Sequence, residues 1–157
     1  MPQIARVHSV PYSAEKMFDL VADVEKYPEF LPLCEALTVR SRRTKGDHEL
    51  VICAMTVGYK AIRETFTTQD LFNRKDLTIG IKYLDGPFKR LDNRWRFEPT
   101  GPNGCDIHFD IDYEFSSRML GALMGAMFET AFKRFTNAFE ERARVVYGPP
   151  AGAPPVA

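Results

Sequence analysis

No apolar run in this chain approaches the ~20 residues needed to span a bilayer. Charge of one sign is also missing. Lys and Arg number 21 and Asp and Glu number 21, which argues against a protein that coats nucleic acid through bulk charge, so no DNA partner is expected. Cysteine is scarce: Cys34, Cys53 and Cys105 are odd in number and far apart, which fits reduced thiols in a cytoplasm rather than a disulfide framework. No C-x-x-C or H-x-x-x-H spacing occurs, and no metal site is expected. The first residues carry no basic region followed by an apolar stretch, so no secretory signal is expected. Tryptophan occurs once, whereas 12 Phe and 6 Tyr are enough to fill a core or line a cavity. With 157 residues, 45% of them hydrophobic, the chain is sized for one domain that holds a core without staples.

The polar and apolar rhythm changes three times along the chain. Residues 3–10 read as a strand ended by Pro11. Ser13 stands at a helix N-cap position with Glu15 in the first turn, and Met17, Phe18, Leu20 and Val21 give that helix an apolar face to about Ala22. Pro28 and Pro32 then allow only a short helical turn before extension. From 35 to 115, turn residues at 45–47, 58, 73–76, 85–87 and 101–104 separate runs of period two. In 106–115, Ile107, Phe109, Ile111, Tyr113 and Phe115 alternate with polar residues. In 77–84, Leu77, Ile79, Ile81 and Tyr83 share a face, and in 89–98 the inward set is Leu91, Asn93, Trp95 and Phe97. Six hairpin-linked antiparallel strands, wet on one side, follow from this pattern.

Beyond Ser117 the period lengthens, with Leu120, Met124, Met127, Ala131, Phe135, Ala138 and Phe139 recurring at three and four. A helix to Tyr147 would be ~46 Å long, against a radius of gyration of about 15 Å for such a domain. It must cross the whole sheet, and Gly148 and Pro149 end it. The expected fold class is α+β, a curved antiparallel sheet wrapped around a long C-terminal helix. One domain occupies 1–148, and the Pro/Ala-rich segment 149–157 is expected to be a disordered tail.

A twisted sheet around one helix is a container. The helix segment over its middle, Leu120-Gly-Ala-Leu-Met-Gly-Ala-Met127, has two readings. Its glycines either bring helix and sheet into close packing or loosen the helix as a lid, with Met119, Met124 and Met127 as adaptable lining. Asn93 and Glu64 interrupt otherwise apolar faces. Each needs a partner when buried, supplied by the protein or by a ligand head group. Of His8, His48 and His108 only His8 could turn inward beside a carboxylate, and all three are read as solvated; no thiol has an obvious base, so no catalytic residue is expected.

Tyr27-Pro-Glu-Phe-Leu-Pro-Leu-Cys34 and Gly86-Pro-Phe-Lys-Arg-Leu-Asp-Asn-Arg-Trp-Arg-Phe-Glu-Pro99 resemble the two signature stretches of the coenzyme Q-binding START-domain family. That family lies in the polyketide cyclase/lipid-transport superfamily and has the helix-grip fold; the resemblance spans about 3–147. Leu33-Cys34 stands where an aromatic is common after the second proline. The resemblance implies a hydrophobic tunnel that holds ubiquinone or a related polyprenyl lipid without catalysis, in support of respiratory electron transport. No cofactor is implied beyond that bound ligand. By motif the lining would be Tyr27, Phe30, Pro32, Phe88, Leu91, Trp95 and Phe97; by helix position it would be Met124, Met127 and Phe128, with Glu64 and Asn93 as polar candidates. The expected location is the cytoplasm, with transient contact at the inner membrane. The same family includes a ribosome association toxin that binds the large ribosomal subunit and blocks subunit joining. On that alternative Arg40, Arg42, Arg43 and Lys45, with Lys133, Arg134, Arg142 and Arg144, would meet RNA. The plainer reading is a charged edge strand and a helix balanced by Glu129, Glu140 and Glu141.

Overall fold

Alternating side chains place one face of each strand inward, and the turn residues fold consecutive strands back as antiparallel neighbours. In the computed structural model, which describes residues 3–59 and 61–150, the chain runs β1 (Gln3–Val10), α1 (Ala14–Ala22), a 3-10 turn (Val24–Glu29), β2 (Cys34–Lys45), β3 (His48–Tyr59), β4 (Ile62–Asn73), β5 (Thr78–Asp85), β6 (Phe88–Gly101), β7 (Gly104–Phe115) and α2 (Arg118–Tyr147). The strands form one antiparallel sheet in the order β1-β7-β6-β5-β4-β3-β2. The six hairpin-linked strands of the sequence are β2 to β7, and β1 adds at the far edge beside β7. Register shifts in β2 (Cys34/Ala36 and Val39/Ser41) and β6 (Phe88/Arg90 and Pro99/Gly101) are bulges that bend the sheet. The β5–β6 turn runs hard against β4. Gly86 has φ +142°, and a Cβ there would sit 2.6 Å from Phe66 Cβ, so only glycine fits.

This is the helix-grip arrangement. α1 is capped by Ser13, whose hydroxyl accepts from the Lys16 amide at 3.2 Å, and buries Ala14, Met17, Phe18, Leu20 and Val21. α2 is capped by Ser117 on the Leu120 amide at 3.1 Å and ends at Gly148, whose φ of +83° suits glycine. Its 30 residues give a rod of about 45 Å laid across the concave face. The C-terminal end is tied down: Tyr12 donates to the Gly148 carbonyl at 2.7 Å and Tyr147 to that of Lys16 at 2.9 Å.

The pairing gathers the β3–β4 and β5–β6 turns, the β7–α2 junction and the start of β2 at one end of the molecule. Leu33 there has φ +68°, turning the chain from the 3-10 turn into β2, and its carbonyl accepts from Gly58 N at 3.0 Å. The other end holds the remaining hairpin turns, α1 and the tied end of α2. Most of the expected tail, 151–157, lies outside the described residues.

Candidate functional site

The inward faces of β3 to β7 converge beneath α2. β3 contributes Cys53, Met55 and Val57, and β4 contributes Phe66, Thr68, Asp70 and Phe72. β5 adds Ile79 and Ile81, β6 adds Leu91, Asn93 and Trp95, and β7 adds Phe109 and Ile111. Phe128, Phe132, Phe135 and Phe139 of α2 form the roof, while Val21, Val24, Tyr27 and Leu31 close one side. The space enclosed is about 90 Å³. An apolar cavity of about 150 Å³ takes a benzene, so in this closed form the hollow is narrower than a tunnel for a polyprenyl chain. Its own aromatic rings occupy the rest, packed edge to face, with Trp95–Phe139 at 5.5 Å and Phe132–Phe135 at 5.1 Å between centroids.

The polar atoms of this wall are few. Asp70 is 3% exposed. Its Oδ1 accepts from the Thr68 hydroxyl at 2.7 Å and its Oδ2 from the Cys53 thiol at 3.4 Å. Among the described residues no Lys, Arg or His lines the cavity. Burial therefore outweighs those two hydrogen bonds and pushes the Asp70 carboxyl up to about 6. Burial, with the Asp70 charge beside it, pushes the Cys53 thiol up to about 12. The Tyr27 hydroxyl donates to the Val21 carbonyl, and burial raises it well above the usual phenol range. Asn93 is satisfied within the protein: its Nδ2 donates to the Asp110 carbonyl at 2.8 Å and its Oδ1 accepts from Trp95 Nε1 at 3.0 Å. Its role on this face is to fix the indole.

Of the residues expected from the sequence, Tyr27, Leu91, Asn93, Trp95 and Phe128 meet at the cavity. The others stand elsewhere. Phe97 lies behind the wall, stacked on Trp95 at 6.1 Å and edge-on to Phe18. Phe88 is ringed by Phe66, Tyr83, Phe115 and Phe128 and seals the end near the β5–β6 turn. Phe30 packs outside Tyr27, edge-on to Phe139, with the Arg142 guanidinium 5.1 Å over its ring. Met124 is fully buried but does not reach the cavity, and Glu64 shares the inward face of β4 but stops short of the wall. Pro32 and Met127 line a separate surface groove of about 290 Å³ with Leu33, Leu123, Ala126 and Arg134. Met119, expected as lining, points to solvent and is 70% exposed. The strongest omission is Thr68 and Asp70. The alternation that marks Glu64 continues along β4 to Asp70, so the signal was an acid between Phe66 and Phe72 on one face.

The two helix glycines are also placed. A Cβ on Gly125 would meet nothing within 4 Å, and one on Gly121 only the Phe115 ring at 4.0 Å. Close packing onto the sheet is therefore not their purpose. His8 bonds Glu140 of α2 at 2.8 Å outside the cavity, and neither His48 nor His108 lines it. Several basic residues are paired internally: Arg42 with Glu25 and Glu49, Arg142 with Glu29, Lys133 with Glu129, and Arg144 with Glu140. Among the described residues no helix is long and apolar enough to cross a membrane.

Known proteins resemble this chain in sequence or in fold. The ribosome association toxin RatA of Escherichia coli K12 is 37% identical over 147 residues, covering 94% of this chain and 90% of that one. The mitochondrial coenzyme Q-binding protein COQ10 of Drosophila melanogaster is 29% identical over 144 residues, covering 90% of this chain and 58% of that one. The solution structure of an 18 kDa protein from Caulobacter crescentus superposes with a TM-score of 0.78 at 32% identity, over 95% of this chain and all of that one. Residues 10–140, from the last residue of β1 into the tied half of α2, match the family model described as polyketide cyclase / dehydrase and lipid transport, and the chain belongs to that family.

Proposed function

We propose that the protein is a non-catalytic carrier of ubiquinone or a related isoprenoid lipid, held between the sheet and α2. The observation that carries this reading is a largely apolar cavity between the sheet and α2 with, among the described residues, a single carboxylate on its wall, beside a preceding stretch of α2 whose Gly121 and Gly125 no packing contact requires. Each buried methylene contributes about 0.8 kcal/mol, so a five-carbon unit contributes roughly 3–4 kcal/mol, and two or three units suffice for micromolar affinity after the costs of association. Admission needs the roof to swing out, because the volume of about 90 Å³ is smaller than that of a cavity that takes a benzene. A wall that among the described residues holds no histidine, beside thiols that burial keeps protonated, supports carriage over catalysis. Mass spectrometry of an organic extract from natively purified protein tests the reading. A co-purifying isoprenoid quinone is expected; absence of any lipid, with no saturable uptake of a short-chain quinone, overturns it.

Loading requires a lipid surface, which supports a cytoplasmic protein that visits the inner membrane. Met119, Ala122, Leu123 and Ala126 form an exposed apolar stripe on α2. Arg118 and Arg134, which make no ion pair with another described residue, flank it and complement an anionic headgroup layer. Flotation with phosphatidylglycerol vesicles should weaken severalfold in Leu123→Gln; unchanged flotation removes the stripe from the contact.

A second reading, binding to the large ribosomal subunit, is favoured by the RatA relative of similar length. Arg40, Arg43 and Lys45 on the edge strand β2 are exposed and supply cations for RNA. Sucrose-gradient profiles after overexpression test it, with free subunits accumulating. RNA contact also demands an affinity that falls steeply with salt.

A further inference from the structure

We propose that Asp70, presented by Thr68 and Cys53, is the head-group subsite of the cavity and selects a ligand that offers a hydroxyl, a phenol or hydroquinone, over one that offers only a carbonyl or ether oxygen. The inference rests on the carrier reading above and narrows its guest from the quinone to the hydroxyl-bearing quinol or phenol form of such a lipid.

The argument is a count of donors and acceptors on the wall. The Thr68 and Cys53 hydrogens are spent on Asp70, that of Trp95 on Asn93, and that of Tyr27 on the Val21 carbonyl. One Asn93 amide hydrogen goes to the Asp110 carbonyl. What the wall keeps for a guest is therefore mainly acceptor capacity, and most of it sits on one carboxylate. An ionised carboxyl accepts at about four lone-pair positions, and its protein partners here are two. A guest O–H aimed at it makes a charge-assisted bond in a dry site, the stronger kind. A quinone carbonyl or an ether oxygen placed there meets lone pairs with lone pairs and strips the carboxylate of alternatives. Sites built around a hydroxyl reject analogues lacking it far more strongly than apolar pockets reject a missing methylene.

Nothing structural explains the acid. Its two partners lie on its own strand and on β3, which the β3–β4 ladder already joins, and among the described residues no cation on the cavity wall compensates its burial. Cys53 and Tyr27 are titratable groups that feel its charge, and burial keeps both neutral. Among the described residues the carboxylate is the one charge on the cavity wall.

Two redox-inert probes isolate the contact: 4-nonylphenol and its methyl ether 4-nonylanisole, titrated by fluorescence of the lone Trp95. The wild-type protein should bind the phenol at least tenfold tighter, and Asp70→Asn, which can donate as well as accept, should bring the two within about twofold. Equal affinity of the wild type for both probes overturns the proposal alone, as does a preference that persists unchanged in Asp70→Asn. Binding of neither probe by folded protein overturns the carrier reading and the proposal with it. Thr68→Val guards against misfolding of the Asp70 variant. It frees a further acceptor position on Asp70 and should keep the phenol preference, whose loss would also overturn the assignment.

Discussion

The two halves of α2 are built to opposite rules although they form one continuous helix. The half beyond Lys133 is charged on its outer face and fastened at every turn: His8 bonds Glu140, Glu29 bonds Arg142, Tyr12 bonds the Gly148 carbonyl, and Phe139 and Ala143 are fully buried. The half from Met119 to Phe128 has no charge, carries two glycines at which a Cβ would meet nothing closer than 4.0 Å, and leaves Met119 and Leu123 more than half exposed. A helix that is apolar all round belongs in a core or against another apolar phase. The contrast teaches that α2 is tied by polar contacts at one end, whereas at the other, above the end where the β5–β6 turn and the start of β2 meet, it is held by the apolar packing of Met124, Met127 and Phe128.

The sharpest way to break this contrast is stability. Phe139 touches Tyr27, Phe30 and Trp95, so Phe139→Ala should cost about 3–5 kcal/mol. Met119→Ala, on the loose half, should stay within about 0.5 kcal/mol. Urea denaturation midpoints measure both, and comparable losses would mean the two halves are equally built into the fold.

How far the sequence foretold this depended on whether one face of an element met water. β6 and β7 were legible because charged residues stand opposite Leu91, Trp95, Phe109 and Ile111, and the resemblance added Tyr27. β4 was not, because its code is partly inverted: Thr68 and Asp70 face inward while Leu71 is exposed. The loose half of α2 offered no polar stripe from which to read its rotation. Met124 and Met127 were therefore expected in the cavity beside Phe128, whereas Phe128, Phe132, Phe135 and Phe139 are the residues of α2 that reach it. Helix rotation is set by packing against the sheet, which spacing alone does not contain.

The second measurement uses Asp70 as a reporter of how well the roof keeps water out. Its carboxyl lies at about 6 against an ordinary 3.8 because of burial. Between those values the folded chain holds a proton that the unfolded chain has released. Stability should therefore fall as pH rises from about 4 to about 6, by the order of 3 kcal/mol in total, and be flat above that. Asp70→Asn should abolish the slope and leave the protein more stable at pH 7. A wild-type curve flat over this range would show that the loose half admits water freely.

The smallest effect asks what the glycines do. Alanine is favoured over glycine inside a helix by about 1 kcal/mol per residue, and neither position has a neighbour close enough to clash with a methyl group. Gly121→Ala with Gly125→Ala should thus raise stability by about 1–2 kcal/mol, slow amide hydrogen exchange across 119–128, and slow both uptake and release of an isoprenoid while leaving its equilibrium affinity nearly unchanged. The rates separate the explanations: a helix that gains stability but exchanges ligand as fast as before opens somewhere other than its loose half. A helix that loses stability has met a neighbour at those positions, and close packing onto the sheet then becomes the reason for the glycines.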